Sequence, residues 1–152
     1  MNSQFTKEVS RILALSREEA ARLANDTVGA ETLLLGILRQ GNTTVTEALK
    51  QLHTDPLEIK LALDNKLRVD HVRTMPNIES IALNESANNI LRLAVLEARR
   101  QHKTEVDVQH LMLAILHDFA NNGAKMVLEE NNVTYNKFLG LVDPESAPKD
   151  TI

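Results

Sequence analysis

A chain of 152 residues that is 43% hydrophobic and 25% charged describes a soluble globular protein of one domain or two very small ones. It has no cysteine, which excludes disulfides, zinc–thiolate sites, iron–sulfur clusters and thiol catalysis, and suits a reducing compartment. A net charge of −4 argues against a uniformly basic surface, so neither nucleic acid nor membrane is expected as a partner.

Met1-Asn2-Ser3-Gln4 lacks a basic stretch followed by an apolar run, so no signal peptide is expected. The first predicted helix carries Phe5, Val9, Ile12, Leu13, Ala20 and Leu23 along one stripe. The second, about Ala30–Arg39, is apolar nearly all round and belongs in the middle of a bundle. Its Leu33-Leu34-Leu35-Gly36-Ile37-Leu38 is the longest apolar run, far short of the roughly 20 residues that span a bilayer. Gly41 reads as a turn. Thr44-Val45-Thr46-Glu47 has capping-box spacing for a third helix. Asp55-Pro56-Leu57-Glu58 pairs an N-cap with a proline at the first helical position and opens a fourth. Residues 69–82, with Met75-Pro76-Asn77, read as a connector.

The same elements then recur. Displacing the sequence by 78 positions lays Ile12-Leu13 on Ile90-Leu91, Glu19-Ala20 on Glu97-Ala98, and Val28 on Val106. Leu33, Leu35 and Ile37-Leu38 fall on Leu111, Leu113 and Ile115-Leu116, with no gap from Phe5 onward. Past one inserted residue, Ala48-Leu49 falls on Val127-Leu128. The second set of helices is expected over Leu83 to Ala98, Val108–His117, Ala124–Glu130 and Tyr135–Leu141, with Gly123 in a turn. Period-two runs of β-branched residues are absent. The expectation is an all-α, eight-helix domain over 5–142, built as two tandem pseudo-symmetric four-helix repeats at 5–68 and 83–142. The polar, proline-bearing segment 143–152 has the composition of a flexible tail or the start of a linker.

Chemistry-bearing groups are sparse. His110 and His117 lie two turns apart, about 10 Å, too far to share one ion, so no metal or cofactor is expected. Adjacent carboxylates such as Glu18-Glu19 and Glu129-Glu130 point about 100° apart on a helix and cannot flank a bond as acid and base. Both pairs read as solvated charged faces. His53, His71 and His102 read as surface residues, and Arg99-Arg100-Gln101-His102-Lys103 as a basic helix end that suits the dipole. The phosphate cradle Gly-x-x-x-x-Gly-Lys-Ser/Thr is missing, as are Gly-x-Ser-x-Gly and Gly-x-Gly-x-x-Gly. No catalytic residue is expected, and this chain by itself is expected to hydrolyse no ATP.

The doubled blocks carry a resemblance. Phe5-Thr6, Leu13-Ala14-Leu15, Glu18-Glu19-Ala20 and Val28-Gly29-Ala30-Glu31 precede the leucine run in the first copy. Ala94, Glu97-Ala98 and Val106 to Leu116 answer them in the second. Over about 5–142 the chain resembles the Clp repeat, the N-terminal domain of Clp-type AAA+ unfoldases, and through Leu-Ala-Leu and Val-Gly-x-Glu it is more similar to the ClpC type than to the ClpB type. The resemblance implies a pseudo-twofold pair of four-helix units in the cytoplasm. These would receive adaptor proteins and unfolded or marked substrates for an AAA+ ring and, indirectly, a Clp peptidase. A free-standing Clp-repeat accessory protein docking onto a protease complex fits the same residues.

Some ClpC-type relatives dock phosphoarginine, with phosphate at a helix start and guanidinium on a glutamate. The matching positions are Thr6 and Glu31 in copy one, and Asn84 and Gln109 in copy two, with Lys7 offsetting Glu8. Those relatives carry arginine where this chain has Glu8 and Ser86, and neutral Gln109 cannot form the charged pair, so the resemblance favours copy one. The same residues also read as ordinary helix caps with a glutamate complementing its dipole.

Overall fold

A computed structural model describes residues 4–41, 43–68 and 77–145 of the chain. The eight helices among them are α1 (Lys7–Arg22), α2 (Ala30–Gln40), α3 (Thr44–Gln51), α4 (Pro56–Leu67), α5 (Glu85–Arg100), α6 (Val108–His117), α7 (Gly123–Glu130) and α8 (Tyr135–Val142). Every helix but α2 begins on a side-chain oxygen that accepts one of the free first-turn amides: Thr6, Thr43, Asp55, Asn84, Asp107, Asn122 and Thr134. For α2, Gly29 takes the N-cap position, and the Thr32 hydroxyl accepts the Gly29 amide at 2.9 Å.

Three local expectations are corrected. The cap of α3 is Thr43, whose hydroxyl accepts from Thr46 N, one residue ahead of the Thr44 spacing. Gly123 is the first residue of α7 rather than part of a turn. Phe5 and Leu83 stand before their helices, because each is drawn into β-type pairing instead. Val28 and Leu83 pair in a two-stranded parallel sheet of β1 (Thr27–Val28) and β2 (Ala82–Leu83), and Phe5 bridges Val106 in parallel. The connector over 69–82 contributes β2 and a 3-10 turn at Ile78–Ser80, while 69–76 lies outside the described residues. So do 146–152 of the expected tail.

The two pairings are images of one another under the 78-residue displacement, and each joins the front of one repeat to the middle of the other. Thr6 N donates to Val106 O at 3.0 Å, and its counterpart Asn84 N donates to Val28 O at 2.9 Å. The helix ends match as well. Ala24 and His102 after α1 and α5, and His53 and Asn132 after α3 and α7, all take left-handed φ of 58° to 65°. Behind each, an amide reaches back five residues, as in Asn25 N to Ala20 O and Lys103 N to Ala98 O, closing the helix in a Schellman turn.

Amphipathic α1 and α5 lie against the apolar rods α2 and α6, and these two rods touch each other. From Val108 to Leu116 only Gln109 escapes full burial, and in α2 the stretch Thr32–Ile37 is buried throughout. Further cross-repeat packing sets α4 on α7 and α3 on α6 and α8, so the halves interlock around one core. Among the described residues no helix is long and apolar enough to cross a membrane.

Candidate recognition site

Because the halves exchange their leading strands, the groups at the helix starts regroup across the repeats. The expected pairing of Thr6 with Glu31, and of Asn84 with Gln109, is therefore corrected. Thr6 caps α1 through Val9 N, and its hydroxyl donates to Asp107 Oδ1 at 3.2 Å, on the N-cap of α6. Thr6, Lys103, Thr104, Glu105, Asp107, Gln109 and His110 line a hollow of about 200 Å³ there. Asn84 and Glu31 meet at the equivalent place on the other side. Asn84 Nδ2 and Glu31 Oε1 flank the spot where a Gly29 side chain would stand, at 2.9 and 3.2 Å from it. Lys7 belongs to neither group and faces a separate depression with Glu8, Arg11 and Gln40.

The two places differ in electrostatics. At Thr6 the Asp107 carboxylate already occupies the helix-start position that would draw an external anion, accepting from Thr6 and from Val108 N at 2.8 Å. A phosphate there would face that carboxylate as well as Glu105. Gln109 lines the same hollow, and its Oε1 is buried with no hydrogen-bond partner among the described residues.

At the other place Glu31 already serves the fold, because its Oε2 accepts the Gly123 amide at 3.0 Å and ties α2 to the start of α7. A carboxylate on a helix-start amide is a charge-assisted bond. Glu31→Ala is therefore expected to lower stability by about 1–2 kcal/mol, and Glu31→Gln, which keeps an acceptor, by less than half of that. Urea denaturation of the two variants checks this; equal losses would mean the bond to Gly123 contributes nothing.

His110 supports the hollow from below. Its Nδ1 accepts the Asp107 amide at 2.9 Å, so Nε2 carries the hydrogen and meets Gln101 Oε1 at 2.8 Å. Burial pushes its pKa below the ordinary 6.5, with Asp107 and Glu97 opposing only in part. A histidine held neutral in the folded state binds fewer protons than in the unfolded chain. Stability present above the unfolded value is then lost as pH falls through the folded one. The denaturation midpoint should drop as pH falls below about 6.5, and His110→Gln should drop less; parallel curves would contradict this role.

Two buried glutamates were not legible as such. Glu19, read as part of a solvated face, is 5% exposed and holds Arg22 at 2.7 Å and Arg39 at 3.3 Å. Arg22 also grips Asp64 at 2.8 Å. Burial opposes ionisation of Asp64, but the bonds from Arg22 and Lys60 outweigh it and hold the carboxyl below its usual range. Glu97, the counterpart of Glu19, meets His117 Nδ1 and the Tyr135 hydroxyl, each at 2.8 Å. The signal was present in the repeat itself, since one glutamate recurs at the same place on both amphipathic helices. Glu129 and Glu130 are exposed as expected, and so are His53 and His102; His71 lies outside the described residues.

Comparison with known proteins gives a consistent picture. The family model described as the Clp repeat (R) N-terminal domain matches residues 4–131. Over 137 residues, 90% of the chain, it is 30% identical to the chaperone protein ClpB of Oceanobacillus iheyensis. Over the same length it is 28% identical to the negative regulator of genetic competence ClpC/MecB of Bacillus subtilis. In both cases the match spans only 16% of the relative. Among solved structures, the Hsp104 N-terminal domain from Candida albicans superposes with a TM-score of 0.75 at 16% identity, over 97% of this chain and 95% of that one. A complex of the ClpV N-domain with a VipB peptide does so at 0.68 and 16%, over 95% and 91%. At such identities the superpositions speak for the fold.

Proposed function

The chain belongs to the Clp repeat N-terminal domain family, and from that premise we propose that it is a non-catalytic recognition domain that holds peptide segments of adaptors or substrates for an AAA+ unfoldase. The observation that carries the reading is the cross-repeat hollow beside Thr6, lined by Gln109, whose buried Oε1 has no partner among the described residues. A peptide backbone supplies N–H donors of the kind that acceptor lacks, and the Gln109 side chain meets one by turning toward the hollow. The ClpV N-domain bound to a VipB peptide lends support by analogy of fold.

The domain itself we take as 5–142, with repeats at 5–68 and 83–142 about the connector 69–82. A cytoplasmic setting, an AAA+ ring and an indirect link to a Clp peptidase belong to the same proposal. Peptide capture through the hollow is favoured over arginine-phosphate docking, because Asp107 occupies the anion position at Thr6 and Glu31 is engaged by Gly123. A free-standing accessory protein would use the same surface. A Walker motif downstream in the gene favours the unfoldase arrangement, and a stop codon the accessory one.

The test is an NMR titration of the chain, without nucleotide, against casein as an unfolded client and a panel of unstructured peptides. Binding should shift the amides of Thr6, Asp107 and Gln109, and Gln109→Ala should weaken it about threefold to tenfold, the range for one hydrogen bond to a buried acceptor. Absence of binding across the panel, or shifts confined elsewhere, would contradict the reading.

A further inference from the structure

Helix α7 starts on the step Asn122-Gly123, the only Asn-Gly pair in the chain. Both members are fixed by what surrounds them. Asn122 is 9% exposed and serves as acceptor and donor at once. Its Oδ1 accepts Lys125 N at 2.7 Å, while its Nδ2 donates to Asp118 Oδ2 at 3.0 Å and to Ile115 O at 3.3 Å. Glycine follows because a Cβ there would run into the Glu31 carboxylate, whose Oε2 accepts the Gly123 amide at 3.0 Å. In the first repeat Thr43-Thr44 stand at the equivalent place, and the cap of α3 is a hydroxyl.

An asparagine followed by glycine is open to attack by its own backbone, because no side chain hinders the ring that forms. Gly123 N gives up its proton to hydroxide and bonds to Asn122 Cγ. The Cγ–Nδ2 bond then breaks, and the nitrogen takes a proton from water and leaves as ammonia. A succinimide remains. Water opens it at either carbonyl, leaving aspartate or isoaspartate at 122. Water and hydroxide are the only co-reactants.

A helix start by itself favours this reaction, since its free amides and dipole stabilise the amide anion. The fold opposes it. Glu31 holds the Gly123 N–H and sets a carboxylate against negative charge on that nitrogen. Expelling Nδ2 breaks its bonds to Asp118 and Ile115, and burial of Asn122 limits the access of hydroxide.

We propose that Asn122-Gly123 is a deamidation site, restrained in the folded protein by Glu31 acting as a positioning residue. Conversion weakens the seam between the repeats. Aspartate at 122 lacks the Nδ2 donor and sets a second carboxylate against Asp118, which is 6% exposed. Isoaspartate adds a carbon to the backbone and misplaces the cap of α7. Because α7 packs on α2, α4 and α6, loss of its start loosens both repeats. The site lies apart from the hollow at Thr6 and goes beyond peptide recognition.

Incubation at mildly alkaline pH, then peptide mapping with fragmentation to resolve Asn122 from Asn121, tests the proposal. The folded parent should convert Asn122 at least about tenfold more slowly than the chain in urea, because reaction needs a local opening. Glu31→Ala should speed conversion in the folded state about threefold to tenfold, the range for loss of one hydrogen bond, and Glu31→Gln by less. Ile90→Val, which trims the core on α5, is the control for lost stability and should convert like the parent. The converted protein, separated by anion exchange, should unfold at lower urea than the unconverted one. Equal rates in the folded parent and in urea overturn the proposal, as do equal rates in the parent and Glu31→Ala. So does acceleration by Ile90→Val to match Glu31→Ala, or a converted fraction that unfolds like the parent.

Discussion

Replacing Leu113 by aspartate is expected to lower stability by about 3 kcal/mol or more, through both the lost leucine and an unpaired carboxylate put in its place. Leu113 has no exposed surface and lies in the middle of α6, where its neighbours from His110 to Leu116 are buried too. Leu35→Asp in α2 should behave alike, since Leu35 is 2% exposed at the equivalent position. A loss of this size is a large part of the roughly 5–15 kcal/mol that holds a domain folded. Because α2 and α6 touch and the outer helices pack across the repeats, either variant should melt in one lowered transition rather than losing only its own half. Leu57→Asp, at a site 56% exposed, is the control and should stay within about 0.5 kcal/mol of the parent. Urea denaturation followed by circular dichroism separates these outcomes. A Leu113→Asp protein that melts like the parent would mean α6 is not the central rod.

Gly36→Ala should be the second most damaging change, at about 1–3 kcal/mol, although alanine is the better helix former. An added methyl would meet the Ser16 hydroxyl and come within 2.8 Å of the Ile12 carbonyl oxygen, so α1 and α2 could not keep their approach. Ser16 is itself buried and donates to Ile12 O at 2.8 Å. The second repeat shows the alternative solution. There Ala114 stands for Gly36 and Ala94 for Ser16, and both are fully buried. The double variant Ser16→Ala/Gly36→Ala should therefore recover part of the loss, with a coupling of about 0.5–2 kcal/mol. Recovery stays partial because the Ile12 carbonyl is backbone. Strict additivity of the two changes would show that the serine and the glycine do not share one contact.

The sequence was most informative where structure depends on near neighbours. The apolar periodicity and the 78-residue recurrence located both central rods, with the bounds of α6 matching those read from Val108–His117, and Asp55-Pro56 marked the cap of α4. Misplacements such as Thr44 for Thr43 come from adjacent threonines that satisfy the same spacing rule. The candidate site was less legible for a different reason. Recurrence shows which positions are equivalent, but not which copy's helix start meets which copy's loop. Thr6 and Glu31 belong to one repeat in sequence, yet the exchange of leading strands sends Thr6 to Asp107 and brings Glu31 to Asn84 and Gly123. Nor does a Glu-Glu pair reveal that one member points inward. The burial of Glu19 depends on Arg39, twenty positions away, and on the face that α2 happens to cover.

The two repeats are interlocked by reciprocal exchange, so that each candidate place at the seam is made from both halves. The nuclear Overhauser contacts of the four residues at the exchange test it most directly. Backbone contacts are expected between Phe5 and Val106 and between Val28 and Leu83. Contacts of Phe5 with Val28, and of Leu83 with Val106, would place each strand pair within its own repeat and contradict it.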